Sequence, residues 1–152
     1  MVGTVDVRTE TVIRRPVAEV AAFAGDPGNA PQWYVNIDSV EWRTPPPVAV
    51  GSCMDFVARF LGRRLAYTYE VVELVPDERL TMRTSDGPFE MQTSYVWESL
   101  GPRATRMTLT NRGRPTGFGL MVGPLMAFMM RRENRKDLER LKQMIESGEG
   151  AA

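Results

Sequence analysis

The side chains of this chain that could do chemistry are polar residues set between apolar ones at strand spacing. Tyr67 and Tyr69 are two residues apart, as are Thr93 and Tyr95, and Asn111 follows in a later segment with the same alternation. Residues two apart on a strand share one face, so these five side chains are predicted to point inward. An inward tyrosine hydroxyl could donate to an enolising carbonyl, and an amide could support it. Tyr67, Tyr69 and Asn111 are therefore the candidate catalytic residues.

The absence of histidine restricts catalysis to other groups. The 152 residues include no His and one Cys, which excludes the Ser-His-Asp and Cys-His devices and every His-containing zinc or iron site. We therefore expect neither a metal nor another cofactor. Cys53 has no partner for a disulfide within the chain, and residues 1–4 lack the features of a signal peptide, so a cytoplasmic location is predicted.

The carboxylates within these segments are predicted to face solvent. Asp55 and Glu70 are better bases than a tyrosine, but the alternation places both on the outer face, where charged side chains are normally solvated. A bulge in its strand would turn Glu70 inward.

Length and charge limit the class of protein. The length corresponds to one domain, which we place at residues 1–147, with 148–152 as a flexible tail. The 19 Lys and Arg balance the 19 Asp and Glu, for a formal net charge of zero. Nucleic-acid binding requires a basic excess, so nucleic acid is not an expected partner.

The hydrophobic pattern changes period along the chain. Period-two alternation predicts a strand at residues 4–13, and spacings of three and four predict short helices at 17–24 and near 31–33. Six more alternating segments, separated by Gly-, Pro- or Asp-containing turns, predict an antiparallel meander at residues 35–43, 52–60, 64–75, 79–85, 89–99 and 105–112.

One long amphipathic helix is predicted after the meander, from Phe118 to the residues before Gly148, with a bend at Pro124. The residues that recur at steps of three or four along this helix are Phe118, Met121, Leu125, Phe128, Arg132, Arg135, Leu138, Leu141 and Ile145. Residues 118–130 are apolar on all sides, yet a bilayer span needs about 20 residues. We expect the sheet and either the short helices or a dimer partner to cover this stretch, and a membrane-docking face is the alternative. The mixed charges at 131–137 predict a solvated face.

The predicted inner face of the sheet carries Met, Phe and Tyr in place of most Leu, Ile and Val. Two faces compete on the segment 64–75, and we take that of Tyr67 and Tyr69 as inward, with a bulge near Val72. Met repacks around variable ligands and Tyr combines an apolar ring with a polar tip, so this lining fits an adaptable apolar pocket. An ordinary core in which these side chains fill volume is the alternative.

Short motifs spread over nearly the whole chain carry a family resemblance. They are Arg-Pro-Val-Ala-Glu-Val at 15–20, Asp-Pro at 26–27, Pro-Gln-Trp at 31–33, Val-Gly-Ser at 50–52, Glu-Leu-Val-Pro-Asp-Glu-Arg-Leu at 73–80, Ala-Thr-Arg-Met-Thr at 104–108 and Leu-Glu-Arg-Leu-Lys at 138–142. With the order of elements, they resemble the SRPBCC superfamily, whose members have the START and Bet v 1 helix-grip fold. The nearest branch is similar to the bacterial polyketide cyclase/dehydrase family.

The resemblance implies an α+β helix-grip fold, with a curved antiparallel sheet of about seven strands wrapped on the long C-terminal helix and two short helices after the first strand. It also implies a deep cavity between sheet and helix that binds an apolar small molecule such as a lipid, a sterol or a polyketide. The residues expected to contact that ligand are Trp33, Phe56, Tyr67, Tyr69, Met82, Met91, Thr93, Tyr95, Phe118, Met121, Leu125 and Phe128.

Three functional hypotheses follow. The first is a ligand-binding or carrier protein, acting as a monomer or homodimer. The second is a cofactor-independent polyketide cyclase or dehydratase that uses a tyrosine as acid and Asn111 as clamp; whether the chain is an enzyme stays open. The third is an interaction domain with a filled core, which predicts no cavity of about 300 Å³ or more.

Overall fold

The structure, a computed structural model, describes residues 5–60, 62–86, 90–114 and 123–148. The strands are Val5–Ile13 (β1), Ile37–Trp42 (β2), Cys53–Phe60 (β3), Arg63–Val75 (β4), Arg79–Asp86 (β5), Glu90–Gly101 (β6) and Ala104–Arg114 (β7). The helices are Val17–Ala24 (α1), Ala30–Trp33 (α2) and Gly123–Glu146 (α3), with a 3-10 turn at Pro27–Asn29 between the first two. The order of elements matches the prediction.

One antiparallel sheet contains all these strands in the order β1-β7-β6-β5-β4-β3-β2. From β2 to β7 each strand pairs with the next one in the chain, as sequential hairpins require. β1 instead pairs with β7, with Val5 opposite Gly113 and Ile13 opposite Thr105. The sheet curls into a half-barrel around the long C-terminal helix, which confirms the helix-grip fold.

The tyrosine face of β4 points into the molecule, as predicted. Tyr69 is 5% exposed and Val71 is fully buried, whereas Ala66 on the competing face is exposed. The register between β4 and β5 shifts between Val71 and Glu73, where the bulge was expected.

The carboxylates Asp55 and Glu70 lie on the outer face of the sheet. The bulge at Val72 comes after Glu70, and the shift between Thr68 and Tyr69 has its extra residue on β5, so neither turns Glu70 inward. Asp55 accepts hydrogen bonds from the Thr68 hydroxyl at 2.6 Å and from Arg43 Nε at 2.9 Å. These two bonds lower the pKa of Asp55 below its usual value.

The C-terminal half of α3 is anchored to the end of β1. Leu138, Leu141 and Ile145 are at most 2% exposed in the main core, which they share with α1, α2 and the sheet. At the helix end the Glu146 carboxylate accepts from Arg14 N at 2.8 Å and from Lys142 Nζ at 2.6 Å. Because the packing and the bonds act together, this half of the helix has a fixed position on the sheet.

The N-terminal half of α3 is rotated relative to the prediction. Its inward residues continue the buried stripe backwards through Asn134 and Met130 to Met126, which is 1% exposed. Leu125 and Phe128, which were expected to face the sheet, are 52% and 59% exposed, so that prediction is wrong. Residues 118–130 are almost all apolar, and such a segment does not determine from its own spacing which side of the helix is inward.

The predicted part of the long helix at residues 118–122 lies outside the described residues. In the described part Pro124 is the second residue of α3. None of the described helices combines the length and the apolar character needed to cross a bilayer.

Replacing Gly113 with Ala should destabilise the sheet, because β6 passes too close to admit a side chain. A Cβ atom at position 113 would lie 2.3 Å from the Glu90 carbonyl oxygen and 2.9 Å from Met91 Cα. Overpacking of this kind typically costs about 2 kcal/mol. We expect that loss in the free energy of unfolding, measured by chemical denaturation.

The control is Arg112→Ala on the same strand, which removes an exposed ion pair with Asp6 and should cost less than about 1 kcal/mol. Equal effects of the two substitutions would contradict the argument.

Candidate functional site

A cavity lies between the concave face of the sheet and the N-terminal half of α3. Its interior volume is about 140 Å³. The wall is mostly apolar, and its aliphatic and thioether side chains come from five strands and from α3, namely Ile37, Ala58, Leu65, Met82, Met91, Met126 and Met130. The methionines give the wall unbranched, adaptable side chains.

Three aromatic rings form one side of the cavity on β3 and β4. Phe56 and Tyr67 stack with their ring centroids 5.5 Å apart and their planes 4° apart. Tyr69 meets Tyr67 edge to face at 5.0 Å and Phe56 at 5.3 Å. Such arrangements add stabilisation beyond the buried area. Burial raises the pKa of Tyr67 well above its usual value, so its hydroxyl stays protonated at neutral pH.

A series of hydrogen bonds between buried hydroxyl and amide groups connects β4, β6 and β7 next to these rings. Thr93 Oγ1 donates to Asn111 Oδ1 at 2.8 Å, and it lies 2.7 Å from the Tyr69 hydroxyl. Because the Thr93 proton goes to Asn111, Tyr69 is the donor in the second bond. Burial raises the pKa of Tyr69 to about 12, against the opposing effect of the bond to Thr93. The Tyr69 proton is thus already engaged within the protein.

A second polar group of side chains, which we call the polar end, consists of Tyr34, Tyr95, Asn134 and Asp137. The Tyr34 and Tyr95 hydroxyls are 2.8 Å apart. Asn134 is 6% exposed, and its Nδ2 atom is buried with no hydrogen-bond partner in the described part of the chain. Buried polar groups are normally paired, so this amide is available to a group that enters the cavity.

Asp137 is the buried carboxylate of the polar end. It is 2% exposed, and its Oδ1 accepts from the Val35 backbone N–H at 3.0 Å. Burial raises its pKa to about 7; the Val35 bond opposes this effect and the Glu133 carboxylate adds to it. Asp137 therefore gains and loses its proton near neutral pH.

The structure brings most of the predicted site residues together. Eight of the thirteen line the cavity, namely Phe56, Tyr67, Tyr69, Met82, Met91, Thr93, Tyr95 and Asn111. Phe118 and Met121 lie outside the described residues. Leu125 and Phe128 point away from the cavity, for the reason given above.

Trp33 lies behind the cavity wall. It is fully buried, and its ring packs 4.1 Å from that of Tyr34 and 5.7 Å from that of Tyr95. Tyr34, one residue later in the chain, contributes to the lining in its place. The expectation that Trp33 contacts a ligand is therefore corrected to a role as support for two residues of the polar end.

The sequence interpretation placed α3 at the cavity but missed the polar residues that it contributes. Residues 131–137 were expected to be solvated, but Asn134 and Asp137 are buried and line the cavity. The helical spacing of the buried residues Leu138, Leu141 and Ile145 could have revealed them, because the same spacing leads back towards the N-terminus of the helix to Asp137 and Asn134. Their charged neighbours obscured it.

No group of three or more His, Cys, Asp or Glu side chains that could hold a metal ion occurs among the described residues. The polar side chains that line the cavity carry hydroxyl, amide, carboxyl and, at Arg59, guanidinium groups.

Comparisons with known proteins agree on one family and one fold. A family model described as "Polyketide cyclase / dehydrase and lipid transport" matches residues 4–146. An uncharacterised 17.2 kDa protein of Streptomyces lincolnensis is 27% identical over 116 residues, which cover 76% of this chain and 73% of that protein.

Among solved structures, the protein TTHA0849 from Thermus thermophilus superposes with a TM-score of 0.79 at 20% identity, covering 94% of this chain and 98% of that one. The Zhui aromatase/cyclase from Streptomyces sp. R1128 superposes with a TM-score of 0.77 at 17% identity, covering 95% of each chain. A START superfamily protein from Mycobacterium smegmatis gives 0.73 at 15% identity, covering 93% of this chain and 94% of that one. At these identities the likeness establishes the fold alone.

Replacing Asp137 with Asn should change how stability depends on pH. With a folded pKa near 7 against 3.8 for the free side chain, the folded protein keeps a proton that the unfolded chain loses between about pH 4 and 7. The contribution of Asp137 to stability therefore falls over this range, by up to about 4 kcal/mol at 1.36 kcal/mol per pKa unit. The variant keeps an oxygen that accepts from the Val35 N–H. We expect its free energy of unfolding to increase relative to that of the wild type as pH rises to 7.

Denaturation of both proteins at a series of pH values measures this difference. Asp55→Asn serves as a control of opposite sign, because hydrogen bonds lower the pKa of Asp55 and its charged form stabilises the fold. That variant should lose stability relative to the wild type as pH rises to about 5, where the unfolded Asp55 finishes ionising, and the difference should then stay constant to pH 7. A difference between Asp137→Asn and wild type that stays constant from pH 4 to 7 would show that Asp137 is not protonated in the folded state.

Proposed function

Because the chain belongs to the polyketide cyclase/dehydrase and lipid transport family, we propose that its cavity binds a hydrophobic or aromatic small molecule that carries one polar group. The observation that carries this proposal is the Asn134 amide, whose buried Nδ2 has no partner in the described part of the chain. A ligand oxygen would accept from that amide, while the aromatic and methionine side chains contact the apolar part of the ligand.

The volume of the cavity sets the size of the ligand. An apolar cavity of about 150 Å³ is large enough for benzene, so the 140 Å³ present here accommodates one aromatic ring. Larger ligands require the methionine side chains to repack, which their flexibility permits. The volume is below the about 300 Å³ at which most ligand pockets begin, and size alone does not favour a ligand over a filled core.

The polar end favours a ligand over a filled core. A core selected for packing gains nothing from a buried amide without a partner, since that group costs about 1–3 kcal/mol. The buried carboxyl of Asp137 adds a second such cost. A ligand that pairs with these groups would offset both.

Native mass spectrometry of the freshly purified protein is the direct test. We expect a mass above that of the chain alone, and solvent extraction should release an apolar molecule of one or a few rings or a short lipid. A polar or charged molecule in the extract would contradict the proposed ligand class.

Asn134 should determine a preference for ligands with a carbonyl group. Acetophenone and ethylbenzene are similar in size and differ in the presence of an acceptor oxygen. One hydrogen bond contributes about 1 kcal/mol, so the wild type should bind acetophenone roughly fivefold more tightly in NMR titrations. Asn134→Leu should abolish the preference while leaving ethylbenzene binding in place.

The matched control for this titration is Gln143→Leu, which replaces an amide on the exposed side of the same helix and should keep the preference. An equal preference for acetophenone in the wild type and in Asn134→Leu would show that Asn134 does not bind the ligand oxygen. Failure of the wild type to bind either probe, with a clean apo mass, would favour the filled core.

A second candidate function is that of a cofactor-independent cyclase or dehydratase. The observation in its favour is the placement of Asp137 beside the cavity with a pKa near 7, which suits proton transfer at neutral pH. Tyr67 would donate a hydrogen bond to an enolising carbonyl. Tyr69 would join it by turning its proton from Thr93 to the ligand, while the bond to Asn111 would hold the Thr93 hydroxyl in place.

Phenylalanine variants of the tyrosines test the enzyme hypothesis. With a poly-β-ketone substrate that the wild type converts, Tyr67→Phe and Tyr69→Phe should lower kcat at least tenfold and leave the substrate Kd nearly unchanged. In Tyr69→Phe the Thr93 hydroxyl keeps its bond to Asn111, so the fold should persist. Unchanged turnover in both variants would exclude the tyrosines as acids.

A further inference from the structure

The exposed side of α3 carries an apolar pair followed by arginines on one stripe. Leu125 and Phe128 are 52% and 59% exposed, and Arg132 and Arg135 continue the same spacing of three and four along the exposed surface. We call these four residues, with the neighbouring Arg131, the outer stripe. Phe128 is the only aromatic side chain among the exposed large hydrophobic residues of the described part of the chain.

The five residues of the outer stripe carry three positive charges and no negative one, and the next position at this spacing is the exposed Glu139. The carboxylate of Glu133 lies on another side of the helix, where it accepts from Asn36 at 3.2 Å and stands 4.0 Å from Lys136. No ion pair connects Arg131, Arg132 or Arg135 to a carboxylate in the described part of the chain. A chain with a net charge of zero thus has a local cationic surface beside its most exposed aromatic side chain.

The β3–β4 hairpin extends this surface at the same end of the molecule. Phe60 at the end of β3 packs against the same buried cluster of Val5, Val7 and Met126 as Ala127 and Met130 of α3, and Arg64 on the hairpin is exposed.

We propose that the outer stripe is a docking surface for an anionic lipid bilayer. Aromatic and leucine side chains of an amphipathic helix insert into the boundary between headgroups and acyl chains, and arginines beside them pair with lipid phosphates and anionic headgroups. A second copy of the chain fits less well, because it would bury three arginines of each stripe with only one neighbouring carboxylate, Glu139, from each copy, and unpaired buried charge is strongly unfavourable.

The outer stripe and the cavity lie on opposite sides of the same part of α3. Met126 and Met130, on the opposite side of the same helical turns, line the cavity. A bilayer seated on the outer stripe would lie one helix diameter, about 10 Å, from the cavity. The proposal concerns the surface itself and does not depend on the cavity being filled.

Vesicle co-sedimentation of the full chain tests the proposal. We expect binding to vesicles in which phosphatidylglycerol replaces part of the phosphatidylcholine, weaker binding to phosphatidylcholine alone, and release as salt is raised. Each arginine near an anionic surface contributes about fivefold in affinity, so Arg132→Gln with Arg135→Gln should weaken binding roughly 30-fold. Phe128→Ala should weaken it about tenfold through lost apolar burial.

The controls are Leu100→Ala and Arg103→Gln, an exposed apolar and an exposed basic residue at the β6–β7 turn. That turn lies at the end of the sheet where β1 ends, opposite the Val5 end that packs near Met126. Both controls should bind vesicles like the wild type. All of these positions are exposed, so the variants should keep the wild-type melting temperature.

Three results would overturn the proposal. The first is an absence of binding to the anionic vesicles. The second is equal weakening by the stripe and control variants, which would indicate unspecific adsorption. The third is a dimer in light scattering that Phe128→Ala dissociates, which would assign the stripe to a second copy of the chain.

Discussion

The seating of α3 on the concave sheet is the constraint on which the rest of the structure depends. Its C-terminal half is fixed by the burial of Leu138, Leu141 and Ile145 and by the bonds at Glu146. Since an α-helix is stiff over this length, the anchored half sets the rotation of the other half. That rotation points Met126, Met130, Asn134 and Asp137 at the cavity and leaves Leu125 and Phe128 outside. The cavity lies between the concave face of the sheet and this first half of the helix.

Strand parity was predictable from the sequence because a sheet with one buried face imposes a strict alternation of period two. The tyrosine face of β4 and the bulge near Val72 followed from that rule, and so did the cavity side chains Phe56, Met82 and Thr93. The rotation of α3 did not follow, because an all-apolar segment gives no contrast between its sides. Asn134 and Asp137 were missed for the opposite reason, since polar residues among charged ones predict solvent exposure. Trp33 was expected to contact the ligand and lies behind the cavity wall instead, because no local pattern distinguishes a ring that lines a cavity from one behind it.

The polar groups of the cavity fall into two kinds with different physical roles. Tyr69, Thr93 and Asn111 satisfy one another, so they rigidify the sheet and add little that is free to meet a ligand. The polar end is incomplete, with an Asn134 amide that lacks a partner among the described residues and an Asp137 carboxyl whose pKa burial raises to about 7. Buried groups left in this condition reduce stability. In the proposed function a ligand completes the set, and the protein would be more stable with its ligand than without it.

The pairing of β1 with β7 also determines when the protein can finish folding during synthesis. Val5 and Gly113 are partners in the ladder although more than a hundred residues separate them. A ribosome adding about 5–20 residues per second needs several seconds to make that interval. Until then the N-terminal strand has an unpaired edge, while β2 to β6 can already form hairpins with their neighbours. The first strand made is thus among the last to be incorporated, and the nascent chain exposes Val5, Val7 and Ile13 to whatever chaperones attend the ribosome.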